Sequence, residues 1–222
     1  MTTVLITGFG RFPGAPFNPS APLARAVAKR RRPAFAEVRR IVHIFETSYA
    51  AVDRDLPKLL AQHEPDIVLM FGLAGRTNFV RIERRARNAR SVLFPDVTGY
   101  QPTEREIAPG EPPLRGSAPF ARLLAASRAS RTPTRLSRDA GRYLCNYVYW
   151  RALEASRSGT LAQFIHIPPV ARKPLRPSRK RRISQAALAR AGEAILLALL
   201  TEQRRFRLMR CPVAAQHSWQ AS

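Results

Sequence analysis

Short apolar runs alternate along this chain with longer amphipathic segments. Val4 to Phe9, Arg39 to Phe45, Asp66 to Leu73 and Leu161 to Ile167 are runs of strand length. The third run is almost wholly apolar, which is typical of a central strand covered on both faces. These runs predict the strands of a buried sheet.

The segments between the runs have apolar residues at helical spacing. We predict helices at Leu23 to Arg31, Tyr49 to His63, Ala118 to Arg128 and Cys145 to Ala155, and a long final helix capped by Ser184. Strands that alternate with helices indicate an α/β fold. We expect a single three-layer α/β/α domain around a mostly parallel, twisted mixed sheet.

Three further segments have weaker patterns. Phe79 to Asn88 is predicted as a strand at the sheet edge, and Arg135 to Ser137 as at most a short strand. Pro95 to Pro119 is punctuated by proline and glycine, which predicts a long loop.

The C-terminal third changes in composition. Residues 168–183 are rich in proline and basic side chains, so we predict a loop within the domain. We assign 1–205 to one domain and expect 206–222 to be poorly ordered.

The N-terminal MTTVLITGF lacks the basic start and the cleavage site of a secretory signal, and no apolar run has the length of a membrane span. We therefore expect a cytoplasmic protein without a membrane partner.

The formal net charge of +23 is carried mainly by arginine, because lysine occurs only at positions 29, 58, 173 and 180. A nucleic-acid-binding protein acting through Arg172 to Arg182 would account for this charge. The arginines are nevertheless spread over the whole chain, as a general compositional bias would produce. We expect nucleic acid to bind only nonspecifically, if at all.

Cys145 is the first candidate for chemistry. A thiol in the first turn of a helix lies in the positive field of unpaired N–H groups, which favours the nucleophilic thiolate. The alternative is a buried cysteine that acts as a small apolar side chain. The second cysteine, Cys211, has no assigned role, and no His/Cys cluster has metal-ligand spacing, so we expect no metal.

His166 and Glu83 are the other two candidates. His166 lies at the end of a predicted buried strand, where α/β proteins build their sites, and it can take a proton from a thiol. Glu83 can hold the far ring nitrogen and favour the imidazolium. The alternatives are a structural histidine at a strand end and an exposed ion pair of Glu83 with Arg84, Arg85 or Arg87.

Four segments together resemble the pyroglutamyl peptidase I family of cysteine peptidases. SRDAGRYLCN at 137–146 resembles the family's cysteine signature, and GLAGRTNFVRIERRARN at 72–88 resembles its glutamate signature. FIHIP at 164–168 resembles the histidine segment, and TGFGRFPGAPFNPS at 7–20 resembles the N-terminal loop. The four segments occur in the family's order.

The resemblance implies an exopeptidase that removes an N-terminal pyroglutamyl residue from peptides without a cofactor. Cys145 would be the nucleophile, His166 the base and then the acid, and Glu83 the residue that orients the histidine. The alternative is a catalytically weakened relative that still binds lactam groups. The resemblance also implies a homodimer or homotetramer.

Substrate recognition is also implied by the resemblance. Phe9 and Phe12 would flank the lactam ring, Asn18 would brace the loop, and backbone groups near Leu73 would read the lactam. A flat, uncharged lactam suits an aromatic slot with a few main-chain hydrogen bonds. The alternative for the two phenylalanines is ordinary core packing.

Three positions depart from the family pattern. Arg81 stands where the family has a small hydroxyl residue, and Arg85 stands where it has an aliphatic one. Leu93 replaces an arginine that many members carry two residues before the Pro-Asp pair, while Arg90 lies nearby. Loss of an oxyanion donor can cost about 10²–10³ in rate. The departures predict slow turnover or an altered substrate preference.

Overall fold

The computed structural model describes residues 1–12, 14–170 and 183–210. Its main sheet has six strands in the order β2-β1-β3-β8-β4-β7, and all neighbouring pairs are parallel except β4 with β8. These strands are β1 Thr2–Phe9, β2 Val38–Phe45, β3 Ile67–Leu73, β4 Val80–Glu83, β7 Thr134–Ser137 and β8 Leu161–Ile167. Two short strands, β5 Arg85–Ala86 and β6 Leu114–Arg115, form a separate antiparallel pair.

The three central strands alternate their side chains between two cores, because successive residues of a strand point to opposite faces. Ile6, Leu69 and Ile165 enter one core, whereas their chain neighbours on the other face enter the second. Both faces are thus covered, as the nearly continuous apolar runs in the sequence predict.

Five α-helices form the two outer layers over the described residues: α1 Ser20–Ala28, α2 Tyr49–His63, α3 Phe120–Ala129, α4 Leu144–Glu154 and α5 Gln185–Arg210. Residues of α1, α3 and α5 pack in one core, and residues of α2 and α4 pack in the other. A single turn of 3₁₀ helix at Pro33–Phe35 precedes β2. The predicted three-layer α/β/α architecture with a mostly parallel mixed sheet is confirmed.

β4 lies inside the sheet, so the prediction of an edge strand at Phe79 to Asn88 is wrong. It runs between β8 and β7, and the edge position belongs to β7 instead. β4 comprises only Val80–Glu83, and Arg85–Ala86 continues as β5. The sequence did not distinguish an internal strand from an edge strand here, because arginines, which are typical of exposed edges, alternate with the buried Val80 and Ile82.

α1 also differs from its prediction at Leu23 to Arg31. It begins earlier, at Ser20, and ends earlier, at Ala28. Pro22 lies in its first turn, where a missing N–H breaks no intrahelical hydrogen bond. Proline at this position therefore belongs to the helix and not to the preceding loop.

The final helix starts as predicted and ends later than predicted. The Ser184 side chain accepts a hydrogen bond from the Ala187 N–H at 3.1 Å, as an N-cap residue does. The helix continues to Arg210, five residues into the segment 206–222 that we expected to be poorly ordered. Residues 211–222 and most of the predicted basic loop, 171–182, lie outside the described residues. In the described part of the chain, no helix combines the length and apolarity needed to cross a bilayer.

Candidate active site

β3, β8 and β4 bring the site together at one end of the sheet. Gly72 of β3 lies opposite His166 of β8, and His166 lies opposite Arg81 of β4. Side chains two residues apart share a face, so Arg81 and Glu83 both point to the side on which α4 packs. Val80 and Ile82 point to the opposite core.

Cys145 is the second residue of α4. Its N-cap residue, Tyr143, provides no side-chain cap, and the first main-chain bond runs from Tyr147 N–H to Tyr143 C=O at 3.0 Å. The N–H groups of the first turn precede that bond, so they give this end of α4 a partial positive charge. The partly buried thiol of Cys145 lies in that field.

His166 connects the thiol to the carboxylate. Its Nδ1 lies 2.8 Å from Oε1 of Glu83, and its ring also hydrogen bonds to the Cys145 side chain. Because Nδ1 is engaged by Glu83, the ring nitrogen available to sulfur is Nε2. The three predicted catalytic side chains therefore form one hydrogen-bonded chain.

The charges in this chain favour the imidazolium. Burial by itself would lower the pKa of His166, but the charge and hydrogen bonding of Cys145 and Glu83 outweigh it and raise the pKa from 6.5 to about 9. The Glu83 side chain is fully buried, so its charge acts in a medium that screens poorly. The exposed ion pair that was the alternative for Glu83 is therefore wrong.

Two contacts that the sequence did not indicate hold the main chain of Glu83. Its carbonyl oxygen accepts hydrogen bonds from Gln163 Nε2 at 2.9 Å and from the Tyr149 hydroxyl at 3.3 Å. Both donors are buried, and burial raises the pKa of Tyr149, which therefore stays neutral. They fix the position of the carboxylate from its own backbone.

Gly72 makes room for the nucleophile. A Cβ atom at this position would lie 2.7 Å from Sγ of Cys145 and 2.6 Å from the Phe164 ring. Real Cβ atoms do not approach other atoms so closely, so any side chain would displace the thiol or the ring. Gly72 belongs to the segment that resembles the family's glutamate signature, and this contact is the physical reason for glycine there.

The four residues expected to bind substrate line one small cavity together with Cys145. Phe9, Phe12, Asn18 and Leu73 form its wall, and Thr47, Tyr143 and Leu144 complete it. No sequence pattern indicated these last three as cavity residues. Core packing accounts for Phe9 in part, since it is buried and belongs to a core, whereas Phe12 is only partly buried.

Asn18 braces the N-terminal loop beside this cavity. Its Nδ2 donates to the Gly10 carbonyl at 3.0 Å, and its Oδ1 accepts from the Ser20 N–H at 3.1 Å and the Ser20 hydroxyl at 2.8 Å. The Ser20 hydroxyl in turn accepts from the Phe9 N–H at 3.0 Å. One amide thus connects the end of β1 to the start of α1.

A second loop is tied to the cavity wall by Asp96. Its carboxylate accepts from the Tyr49 N–H at 3.0 Å, at the first residue of α2. The Tyr143 hydroxyl donates to the neighbouring Pro95 carbonyl at 2.8 Å. Leu93, at the position of the family's arginine, is 76% exposed. An exposed leucine provides no hydrogen-bond donor for an oxyanion.

Arg90 is held within the same loop. Its Nε donates to the Glu106 carbonyl at 3.0 Å, and its guanidinium pairs with Glu104 at 2.9 Å. Arg85 pairs with Asp139 at 3.8 Å.

Among the described residues no group of three or more His, Cys, Asp or Glu side chains is arranged to hold a metal ion.

The family model for pyroglutamyl peptidase matches residues 2–195. The pyrrolidone-carboxylate peptidase of Clavibacter michiganensis subsp. michiganensis is 36% identical over 171 residues, or 76% of this chain and 79% of that protein. The pyrrolidone-carboxylate peptidase of Gloeobacter violaceus is 32% identical over 204 residues, or 90% and 98%.

Solved structures of the same kind share the fold. The crystal structure of Bacillus amyloliquefaciens pyroglutamyl peptidase I has a TM-score of 0.79 and 25% identity, covering 91% of this chain and 98% of that one. The pyrrolidone carboxyl peptidase of Thermococcus litoralis has a TM-score of 0.81 and 25% identity, covering 97% and 100%.

Proposed function

The chain belongs to the pyroglutamyl peptidase family, and we propose that it hydrolyses the amide bond after an N-terminal pyroglutamyl residue of peptides. The observation that carries the proposal is the hydrogen-bonded chain of Cys145, His166 and Glu83 at an aromatic cavity. This arrangement supplies a nucleophile, a proton carrier and an orienting carboxylate next to a slot of suitable chemistry.

Proton transfer from the Cys145 thiol to His166 gives the thiolate and imidazolium pair, which is the state of the free enzyme that reacts with substrate. Sγ attacks the carbonyl carbon of the scissile amide, and the resulting oxyanion faces the free N–H groups at the start of α4. The tetrahedral intermediate collapses, the C–N bond breaks, and the imidazolium donates its proton to the departing amine. The product of this step is a pyroglutamyl thioester on Cys145.

Water then completes the reaction. Neutral His166 takes a proton from the water, whose oxygen attacks the thioester carbonyl. The C–S bond breaks, pyroglutamate leaves, and the thiolate and imidazolium are restored. Glu83 holds Nδ1 throughout, so the ring presents the same nitrogen in both halves of the reaction.

Selectivity follows from the lack of a carboxylate among the described side chains that line the pocket. Phe9 and Phe12 offer ring faces and edges to a flat lactam, and the side chains that line the pocket include no carboxylate to pair with an ammonium group. A substrate with a free α-ammonium group would lose its hydration without gaining an ion pair. The pocket therefore favours pyroglutamyl over prolyl N-termini.

Hydrolysis of a pyroglutamyl-linked fluorogenic amide tests the proposal under reducing conditions. The wild type and Cys211→Ser should release the fluorophore, and Cys145→Ser should be slower by at least about 10³-fold because it lacks the thiolate. The matching prolyl amide should be a poorer substrate by about 10² or more.

Two results would contradict this function. Release that is unaffected by Cys145→Ser would exclude Cys145 as the nucleophile. Binding of a pyroglutamyl peptide without any thiol-dependent turnover would instead identify the weakened relative, which the exposed Leu93 favours.

A further inference from the structure

Arg81, which departs from the family pattern, contacts the catalytic carboxylate directly. Its Nε lies 3.0 Å from Oε1 of Glu83, the same oxygen that lies 2.8 Å from Nδ1 of His166. Within the described part of the chain, Oε2 of Glu83 has no hydrogen-bond partner. Both cations therefore share a single carboxylate oxygen.

The backbone requires this meeting of charges. Arg81 and His166 are opposite partners in the antiparallel β4–β8 pair, so their side chains leave the sheet on one face a few ångströms apart. Two positive charges at opposite positions repel each other. Glu83 contacts both Arg81 and His166 and offsets this repulsion. Its negative charge therefore stabilises two cations and not His166 alone.

The guanidinium is also anchored away from Glu83. Its terminal nitrogen donates to Ser137 Oγ at 2.7 Å and to the Asp139 carbonyl at 3.2 Å. Ser137 ends β7, and Asp139 lies in the loop that leads to α4 and Cys145. These anchors keep the arginine beside the carboxylate, and its side chain is only 27% exposed.

We propose that Arg81 is a positioning residue that limits how strongly Glu83 stabilises the His166 imidazolium. The charged form of a histidine is favoured by a neighbouring carboxylate and disfavoured by a neighbouring cation. Arg81 is such a cation. It disfavours the imidazolium by binding the same carboxylate oxygen of Glu83 and by lying opposite His166 in the β4–β8 pair. The imidazolium therefore donates its proton to the departing amine more readily than it would if Glu83 contacted His166 alone.

The groups around the ring come from a few elements. β4 contributes Glu83 and Arg81, and α4 contributes Cys145. On the apolar side, Phe164 packs edge-on against the ring, and Gly72 of β3 is the register partner of His166. In the loop before α4, the Asp139 carboxylate accepts from the Gly141 N–H and lies 3.8 Å from Arg85. Arg81 is therefore the cation to remove.

The test is a pH titration of His166 in substrate-free protein. NMR of the ¹³C-labelled imidazole monitors the titration. Arg81→Thr restores the small hydroxyl residue of the family, and Arg81→Gln removes the charge while keeping most of the length. Both should raise the His166 midpoint by about one pH unit. Arg81→Lys, which keeps the charge, should leave the midpoint within about 0.3 unit of the wild type.

Arg135→Gln is the matched control. Arg135 is the register partner of Arg81 on β7, and its guanidinium lies over the Phe79 ring, 4.4 Å from the centroid. It is exposed, so removal of its charge should leave the midpoint nearly unchanged. A midpoint that stays fixed in Arg81→Thr and Arg81→Gln, or that moves equally in Arg135→Gln, would overturn the proposal.

A purely structural role for Arg81 makes a different prediction: the variants would melt earlier with no change in the His166 midpoint. The inference rests on the proposed function only in its consequence for turnover. In Arg81→Thr and Arg81→Gln, the alkaline limb of the pH–activity profile should move to higher pH by the same interval as the His166 midpoint. Because the titration needs no substrate, an unchanged midpoint overturns the role of Arg81, whereas an inactive wild type overturns the peptidase function.

Discussion

The carboxylate of Glu83 is fully buried and touches two cationic side chains, those of His166 and Arg81. A buried carboxylate without such partners would be strongly disfavoured as an anion. His166 and Arg81 therefore compensate the buried carboxylate, and Glu83 in turn helps to raise the pKa of His166. At the scale of single residues, the site is one coupled set of charges.

Glu83→Gln should shift the pH profile to lower pH. The wild-type imidazolium is lost as the pH rises through about 9, so activity should fall there. Without the carboxylate, burial acts on His166 with less opposition and lowers its pKa, so the alkaline limb should move down by more than one unit. The pH dependence of kcat/KM for a pyroglutamyl amide measures this limb, and an unchanged limb would contradict the role of Glu83.

Gly72→Ala should impair catalysis more than stability. The added methyl would meet Sγ of Cys145 and the Phe164 ring at less than 3 Å, so the thiol must move from His166. We expect kcat/KM to fall by at least about 10²-fold, because small misplacements of a nucleophile are costly. Gly75→Ala is the control, since a Cβ there meets nothing within 4 Å. Equal losses in both variants would contradict this explanation.

At the scale of elements, α4 is the organising helix of the site. Its N-terminus carries Cys145, its next residue Asn146 holds the chain that follows β5, and Tyr149 reaches the Glu83 carbonyl. The Asn146 amide accepts from the Arg87 N–H at 2.7 Å and donates to the carbonyls of Arg87 at 2.8 Å and Ala89 at 2.9 Å. These bonds join the glutamate and cysteine segments.

Asn146→Ala should destabilise this junction by about 2 kcal/mol, because it removes three hydrogen bonds and leaves partly buried backbone groups without partners. Chemical denaturation measures the change in the free energy of unfolding. Ser184→Ala, which removes the cap of α5, should cost about 1 kcal/mol without altering the site. The junction hypothesis would be wrong if Asn146→Ala cost no more than the cap variant.

At the scale of the whole molecule, 38 basic side chains face only 15 acidic ones. Such an imbalance opposes the compact state through self-repulsion. The ion pairs that the structure contains, for example Arg30 and Arg32 with Glu193, offset this repulsion locally. They are too few to neutralise the surface.

Salt should therefore stabilise this protein. Raising NaCl from about 0.05 to 0.5 M shortens the screening length from more than 10 Å to a few ångströms. We expect the melting temperature to rise by about 2–4 °C for each kcal/mol of repulsion that is screened. Differential scanning calorimetry measures the rise, with sucrose as an uncharged control. A melting temperature that falls with salt would show that ion pairs outweigh the repulsion.

The sequence by itself determined the order of elements and their class, because buried strands and amphipathic helices impose periods of 2.0 and 3.6 residues on side chains. It also indicated Cys145, His166 and Glu83 as candidate catalytic residues, since each lies in a segment that resembles a family pattern, and the structure brings the three side chains together. The extent of the domain, 1–205, and the expected dimer or tetramer stay predictions.

Only the tertiary structure decided the internal place of β4, the continuation of α5 to Arg210 and the contacts of Arg81. Strand order and cross-strand register depend on contacts between residues far apart in sequence, which local periodicity does not encode. Arg81 and His166 are 85 positions apart in the chain and opposite each other in the sheet. The charge balance of the site arises from that pairing, so it became apparent only once the strands were placed side by side.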